Sequence, residues 1–589
     1  SVMWNYLKNR PYVLLALLCG LWVVLNLAHA AVDELSGAES YLWYVAQDLD
    51  WGYVDHSPLA AVMAWLGVQF GGNTSLAVRL FFVIAQPLAL WLFYRVVCSS
   101  QPTAKGAITY FIVAFSIPLL QIYGFFASSE IIFMLMAAFV LWAFDGYLRR
   151  ANWLTALFVA LSWALLLVSS SVGLFLIAAL IISQYKLLTS WRFYVIIVGV
   201  LIFLAPFGVW QISNGWPVVD QFLNPITEAS PFGLAQVMIA ILLWFNILLI
   251  IPFFVSILAI HRGPQREVPP MERTMRVVFW VFVGVMLLSW LRGAKTGLWI
   301  TPICFSMLYI LTRQALLKRV FERYLRVVCW VAVFIFLGFH TLLFLETDAR
   351  RPLGVVDVRQ TSLAAADTLR ARGVERLVLQ GNERNASAFN FYTKLPSLAL
   401  PSIYSVASEY SRRVKSSDFR GRTLAIQVSS LAVDHMPHDS LVARYVPIYL
   451  GAQSGEVYVS IEKNYTPTFD LRIELENLPS KVLTDSRIGL LLRLENPYPF
   501  AVDFGEGTPR EVVVVLRWLP FGKWQDIVLP LKKQVVEGRS RTVIATTITI
   551  PTVATGLYSF GLTVRQKNLI SVYNSKVFEF MIVNPKSKI

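Results

Sequence analysis

Charged side chains are scarce in this 589-residue sequence, at 15% against about a quarter in soluble domains. With 56% hydrophobic residues and a mean hydropathy of +0.59, that deficit excludes both a soluble monomer and a disordered chain. Cysteine is nearly absent. Cys19, Cys98, Cys304 and Cys329 all lie in or beside apolar segments, so no disulfide framework is implied. There is no Gly-rich nucleotide loop, internal repeat or low-complexity tract. Acidic residues are outnumbered, 36 to 51, and the meaning of the resulting net charge of +15 depends on where the basic residues sit.

What is abundant is long apolar runs. A bilayer core needs about 20 apolar residues per helix, and suitable windows recur near 11–31, 76–97, 106–124, 131–148, 153–169, 171–186, 193–212, 234–260, 277–291, 297–312 and 327–346, then stop. The spacing predicts about eleven spans, with 153–186 readable as a hairpin or as one bent helix. The first run is long enough to span and is followed by acids instead of a small-residue cleavage site, so it is expected to be a span and not a signal peptide.

Lys and Arg concentrate in short cytoplasmic loops. With the N-terminus inside, one face collects Lys8, Arg10, Arg95, Lys105, Arg149, Arg150, Lys186, Arg192, Arg262, Arg266, Arg273, Arg276, Arg313, Lys318, Arg319, Arg323 and Arg326. The other face keeps only Arg79, Arg292 and Lys295. The positive charge is therefore an insertion signal and not a nucleic-acid footprint. An odd number of spans then places everything after 346 outside.

That C-terminal part changes character twice. Apolar runs at Leu377–Leu379 and Thr423–Val428, with a helical pattern at Ala386–Tyr392 between them, predict a small α/β unit over 347–464. Period-two alternation at Phe469–Leu475, Ile544–Ile550, Leu557–Val564 and Val577–Val583 predicts a β-sandwich of about seven strands over 465–589. Trp518, Trp524 and Tyr558 are expected in its core. Asp434, His435, His438 and Asp439 are expected to form a polar loop, not a metal site.

Acids gather on the outer face: Asp33 and Glu34 directly after the first span, then Glu39, Asp48, Asp50 and Asp55, with Glu130 at the mouth of the fourth span. Glu39, Asp48 and Asp50 are expected to be solvated loop residues. Asp33, Glu34, Asp55 and Glu130 each abut a membrane segment, where charge is costly unless it serves a function. One such carboxylate can act as general base on an acceptor hydroxyl, and a second can orient it or hold a divalent cation against a phosphate. Arg292, Lys295 and Trp299, in an outer turn, would supply cations for that phosphate and an interfacial aromatic.

The string Asp33-Glu34, Tyr41-Leu42 and Trp51-Gly52-Tyr53-Val54-Asp55-His56-Ser57-Pro58-Leu59-Ala60-Ala61 resembles the first extracytoplasmic loop of the dolichyl-phosphate-mannose protein mannosyltransferase-like family. These are membrane glycosyltransferases of the GT-C fold, the aminoarabinose transferases among them. The resemblance continues through Asn214-Gly215-Trp216-Pro217, Lys295 to Pro302 and Ala388-Phe389-Asn390-Phe391-Tyr392, and covers roughly the first 450 residues. It implies a polytopic α-helical bundle followed by the two extracytoplasmic domains. Its implied activity is hexosyl or pentosyl transfer from a polyprenyl-phosphate sugar to an extracytoplasmic lipid, polysaccharide or protein acceptor.

Carried over by position, Asp33 is the catalytic carboxylate, with Glu34 and Glu130 as further functional acids. His56, Arg292 and Lys295 would face the donor phosphate. Asp55 and His56 would be ligands if a divalent cation (magnesium, manganese or zinc) is used. The chain departs from the family at Ser128-Ser129-Glu130, where relatives have Thr-Pro-Asp, and at Ser169-Ser170-Ser171, where many have Ser-Lys-Tyr, so Arg292 and Lys295 would carry more of the phosphate. The expected setting is a bacterial inner membrane, with the lipid bilayer and an envelope protein at the sandwich as partners. The rival readings are a degenerate scaffold of the same fold, and a transporter, which calls for charges within spans and paired broken helices.

Overall fold

The computed structural model describes residues 2–98, 101–223, 233–259, 268–291, 301–345, 358–400, 403, 407–428, 433–434, 436–450, 455–476, 478–519, 524–566 and 572–585. Arg292, Lys295, Trp299 and His435 lie outside the described residues. The chain divides into two compact units, Ser1–Val356 and Asp357–Ile589.

The first unit is helical. Among the described residues five helices are long and apolar enough to cross a membrane: Pro11–Val32, Ser75–Val97, Ser129–Arg149, Trp191–Ser213 and Arg319–Phe344. Shorter apolar helices fill in around them. Of these windows, 61% of Ser75–Val97 and 67% of Ser129–Arg149 is buried, against 22% of Trp191–Ser213 and 28% of Arg319–Phe344. The first two are therefore the centre of the bundle, while the others turn residues such as Leu201, Ile202, Phe334 and Ile335 outward, as a lipid-facing helix does. Phe82, Phe93, Tyr94, Phe133, Phe144 and Trp163 form the fully buried middle.

Two expected spans are broken, each for a local reason. The run 106–124 divides into Ala104–Phe115 and Pro118–Tyr123 because the proline forces Ile117 into an extended conformation (φ −86°, ψ 113°). The run 234–260 divides into Gly233–Trp244 and Ile247–Ala259 at Asn246, which is left-handed (φ 64°). The two breaks meet, since the Asn246 side-chain amide donates to the Ser116 carbonyl at 3.2 Å. The stretch 153–186 is two helices, Trp153–Ser169 and Gly173–Ser183, separated where Ser170 is extended.

In the second unit, β1 (Arg376–Gln380), β2 (Ser397–Leu400), β3 (Leu424–Gln427), β4 (Val446–Tyr449) and β5 (Glu456–Glu462) make a mixed sheet of order β2-β1-β3-β5-β4, parallel across β2-β1-β3. The helix Glu383–Tyr392 connects β1 to β2, and its Asn390 brackets the backbone N–H and C=O of Ser397 at 2.9 and 2.7 Å. Beyond it lie β6 (Arg472–Glu476), β7 (Lys481–Leu483), β8 (Arg487–Glu495), β9 (Val502–Phe504), β10 (Arg510–Trp518), β11 (Trp524–Val528), β12 (Gln534–Val536), β13 (Arg541–Thr549), β14 (Gly556–Gln566) and β15 (Phe578–Val583). They pair as β11-β10-β14-β15-β7, β13-β8-β6 and β12-β9. Alternate residues Leu490, Leu492 and Leu494 of β8 meet Val512, Val514, Leu516, Phe560 and Leu562 in one core, as a period-two pattern requires. Tyr558 is buried and Trp518 is stacked on it at 6.5 Å, while the Trp524 ring lies under the Arg517 guanidinium. Burial pushes the Tyr498 phenol up to about 12, so it stays protonated while it accepts the Asp470 N–H at 3.0 Å.

Candidate active site

The first apolar helix ends at Asp33, whose backbone is extended (φ −82°, ψ 139°). A helix end leaves its last carbonyls without partners. Here they are met by one side chain, Arg79, which is fully buried in the first turns of Ser75–Val97. Its Nη1 donates to the carbonyls of Ala30 (3.2 Å) and Asp33 (2.6 Å). Its Nη2 donates to the Glu34 carbonyl (2.8 Å) and Glu39 Oε2 (2.8 Å), and its Nε donates to Glu39 Oε1 (2.7 Å). A guanidinium has five N–H groups, and all five are used. A cation at this end of a helix is also favoured by the helix dipole.

Glu39 is the counterpart. It closes a capping box with Ser36 at the start of helix Gly37–Ala46, and its carboxylate further accepts the Ala127 N–H at 2.8 Å. It is 2% exposed, which corrects the expectation of a solvated loop acid. The pair joins four segments: the end of the first helix, the loop helix, the helix of Arg79 and the turn that precedes Glu130. Arg79 is likewise not a loop cation but an internal tie.

Asp33 itself is 3% exposed, and Glu34 is half-buried. One turn below, His29 lies against Phe344 and Phe125 and reaches His340 of the last long helix at 2.7 Å, which in turn contacts Gln121 Oε1 at 2.8 Å. Because the Gln121 amide nitrogen already donates to the Phe115 carbonyl, Oε1 is the acceptor. His340 therefore carries its proton on Nε2 and accepts from His29 Nε2–H.

Asp55 forms a second centre. Both of its oxygens lie within reach of the Tyr41 hydroxyl (2.9 and 2.8 Å), and His56 Nδ1 is 3.3 Å from Oδ1, with the Tyr41 and His56 rings edge to face. Tyr41 is on helix Gly37–Ala46, the helix that Glu39 anchors. Ser57 caps helix Pro58–Gly71 and its hydroxyl reaches the Val168 carbonyl at 3.4 Å. The Ser169–Ser171 turn thus stands beside the Asp55-His56 loop. Tyr41→Phe should keep the fold but lower the unfolding temperature in detergent, by the loss of a hydrogen bond to a charged group of about 1.5–3 kcal/mol. Melting curves of the two proteins check this.

Glu130 opens helix Ser129–Arg149 and lines a cavity of about 20 Å³ with Gln86, Tyr123 and Thr301, which is room for a single water. Asp48 is exposed, as expected. Asp50 is half-buried, with Oδ1 accepting the Trp51 N–H, and the Tyr53 hydroxyl pins the turn by bonding the Asp48 carbonyl and the Asp50 N–H. Among the described residues no three His, Cys, Asp or Glu side chains converge as a metal cage. Asp55 and His56 offer two ligands facing each other, so a cation there would take its remaining ligands from water or from a bound phosphate.

Sequence inspection passed over two helices in the first loop, Gly37–Ala46 and Pro58–Gly71, and the Arg79–Glu39 pair. Signals for the pair existed: Ser36-x-x-Glu39 is a capping-box pattern, and Arg79 interrupts an otherwise apolar run.

Residues 55–210 match the family model described as dolichyl-phosphate-mannose-protein mannosyltransferase. Among solved structures, the chain is similar to ArnT from Cupriavidus metallidurans in the apo state, at TM-score 0.54 and 12% identity over 78% of this chain and 98% of that one. It is also similar to the same protein bound to undecaprenyl phosphate, at TM-score 0.53 and 12% identity over 75% and 97%. The chain shares the GT-C fold of ArnT, and the family model covers about a quarter of its length. No curated protein sequence matches it. The matched stretch begins at Asp55 and contains Arg79 and Glu130, so it spans two of the four segments that the Arg79–Glu39 pair ties together.

Proposed function

We propose that the protein transfers a glycosyl group from a polyprenyl-phosphate sugar to an acceptor hydroxyl or amine on the side of the membrane where Asp33 emerges. The observation that carries this reading is the placement of a buried carboxylate, Asp33, at the end of a membrane-length helix whose terminal carbonyls are held by a fully used arginine. A base kept this rigidly at the lipid boundary suits a substrate that is itself held in the bilayer. The ArnT fold relative carries undecaprenyl phosphate, which supports a lipid-phosphate donor here.

In the proposed reaction the acceptor attacks the anomeric carbon and Asp33 takes its proton. The bond from that carbon to the phosphate oxygen breaks, and the polyprenyl phosphate leaves with the electron pair, so the anomeric centre inverts. Glu34 orients the acceptor. Asp55, held by Tyr41 and His56, serves the donor, and His56, with Arg292 and Lys295 by their resemblance to the family's pattern, is assigned to the phosphate charge. A divalent cation at Asp55 and His56 would add further neutralisation of that phosphate. The acceptor-side setting is extracytoplasmic, with the basic ends of the helices in the cytoplasm.

Binding tests the donor assignment. Undecaprenyl phosphate should raise the thermal unfolding temperature of the detergent-purified protein and be competed by its glycosylated form, and Lys295→Ala should weaken it by about tenfold. Equal stabilisation by undecaprenol, which lacks the phosphate, would remove the assignment.

A further inference from the structure

At the opposite end of the first helix from Asp33, about 30 Å away at 1.5 Å per residue, the bundle has a pocket of about 410 Å³ with Tyr12, Arg95, Trp142, Asp145, Arg149 and Phe158 in its lining. From its contents we infer that this pocket is a headgroup site for an anionic membrane phospholipid, recognising the phosphodiester.

Charge is the first argument. Asp145 is paired with Arg149 one turn on. Arg95 has no carboxylate partner among the described residues, and its Nε is buried without a hydrogen bond. Two guanidinium groups against one carboxylate leave a single net positive charge in a pocket that is partly shielded from water. One phosphodiester balances it.

Preorganisation is the second. The Arg95 guanidinium lies 4.4 Å from the Trp91 ring centre and 5.4 Å from that of Tyr12, and the Trp91 indole N–H donates to the Tyr12 carbonyl at 3.1 Å. Cation–π contacts on two rings hold the group in place without neutralising it, which leaves its outer N–H groups to a ligand. A basic side chain that merely snorkels to water needs no such seat.

Depth is the third. Trp153 and Trp191 open their helices at this end of the bundle and are largely exposed, the position that aromatic belts take at a membrane interface. The pocket therefore lies at headgroup level. Trp142 and Phe158, edge to face at 5.7 Å, give it an apolar wall for the glycerol and the first methylenes of a lipid. A free inorganic phosphate would use the arginine and leave that wall unused. Basic pockets between helices on the cytoplasmic side are a known form of anionic-lipid recognition.

Gly146 supplies a clean variant. A Cβ added there meets nothing within 4 Å, and Gly146 lines the pocket, so Gly146→Leu fills the space while improving helix propensity. Native mass spectrometry of the full chain in detergent, with dioleoylphosphatidylglycerol, dioleoylphosphatidylcholine or inorganic phosphate added, makes the test. We expect the anionic lipid to bind the unaltered protein and Lys186→Gln, which loses an exposed charge outside the pocket. Binding should fall roughly tenfold in Arg95→Gln, as loss of a charge-assisted contact implies, and at least as far in Gly146→Leu. The choline lipid should not compete. Undiminished binding in both pocket variants, or an equal loss in Lys186→Gln, would overturn the site, and displacement of the lipid by millimolar phosphate would overturn the lipid as its ligand.

Discussion

Asp33→Asn should lower glycosyl transfer by about 10²–10⁴-fold, the usual worth of a positioned general base, while leaving thermal unfolding in detergent unchanged. The second half of that expectation comes from the geometry. Arg79 holds position 33 through its backbone carbonyl, at 2.6 Å, and an asparagine presents the same carbonyl. The substitution therefore removes the proton acceptor without disturbing the element that carries it. A large fall in both activity and melting temperature would instead give Asp33 a structural role, and full activity would exclude it as the base.

Arg79→Met should be the most destabilising single change in the first unit. It strands the Glu39 carboxylate in a site where that residue is 2% exposed. Breaking a buried ion pair on one side costs about 3–5 kcal/mol. It also strands the carbonyls of Ala30, Asp33 and Glu34. The double variant Arg79→Met with Glu39→Met separates these consequences. With no charge left behind, most of the stability should return, since replacing both partners of a buried pair by apolar residues is often neutral. Turnover should not return, because Asp33 and Glu34 are no longer held. Arg79→Lys should fail similarly, as an ammonium cannot make the planar two-sided contact with Glu39 while bonding three carbonyls. Melting curves and turnover on the three variants check this, and a double variant as active as the unaltered protein would show that the clamp serves stability alone.

Much of this was legible in the sequence because the signals are strong and local. Twenty-residue apolar runs with basic residues on one side mark the bundle, and period-two patterns such as Ile544–Ile550 mark strands, here within β13 and just after it. The breaks at Ile117 and Asn246 were harder, since hydropathy is blind to backbone. Pro118 nevertheless announces the first break, and the second needs only one left-handed asparagine. The first loop shows the limit best. Its acids were visible, but which are solvated depends on partners distant in sequence. Glu39 finds Arg79 forty positions away and Ala127 eighty-eight positions away, whereas Asp48 stays exposed. Charge alone ranked those two acids together, and burial separates them.

The most direct test of the central claim is donor turnover. Purified protein given undecaprenyl-phosphate sugars labelled in the sugar, together with a membrane extract as acceptor source, should release undecaprenyl phosphate and move the label to a new product, and Asp33→Asn should do neither. Release of undecaprenyl phosphate at the same rate by both proteins, or by neither across pentose and hexose donors, would contradict it.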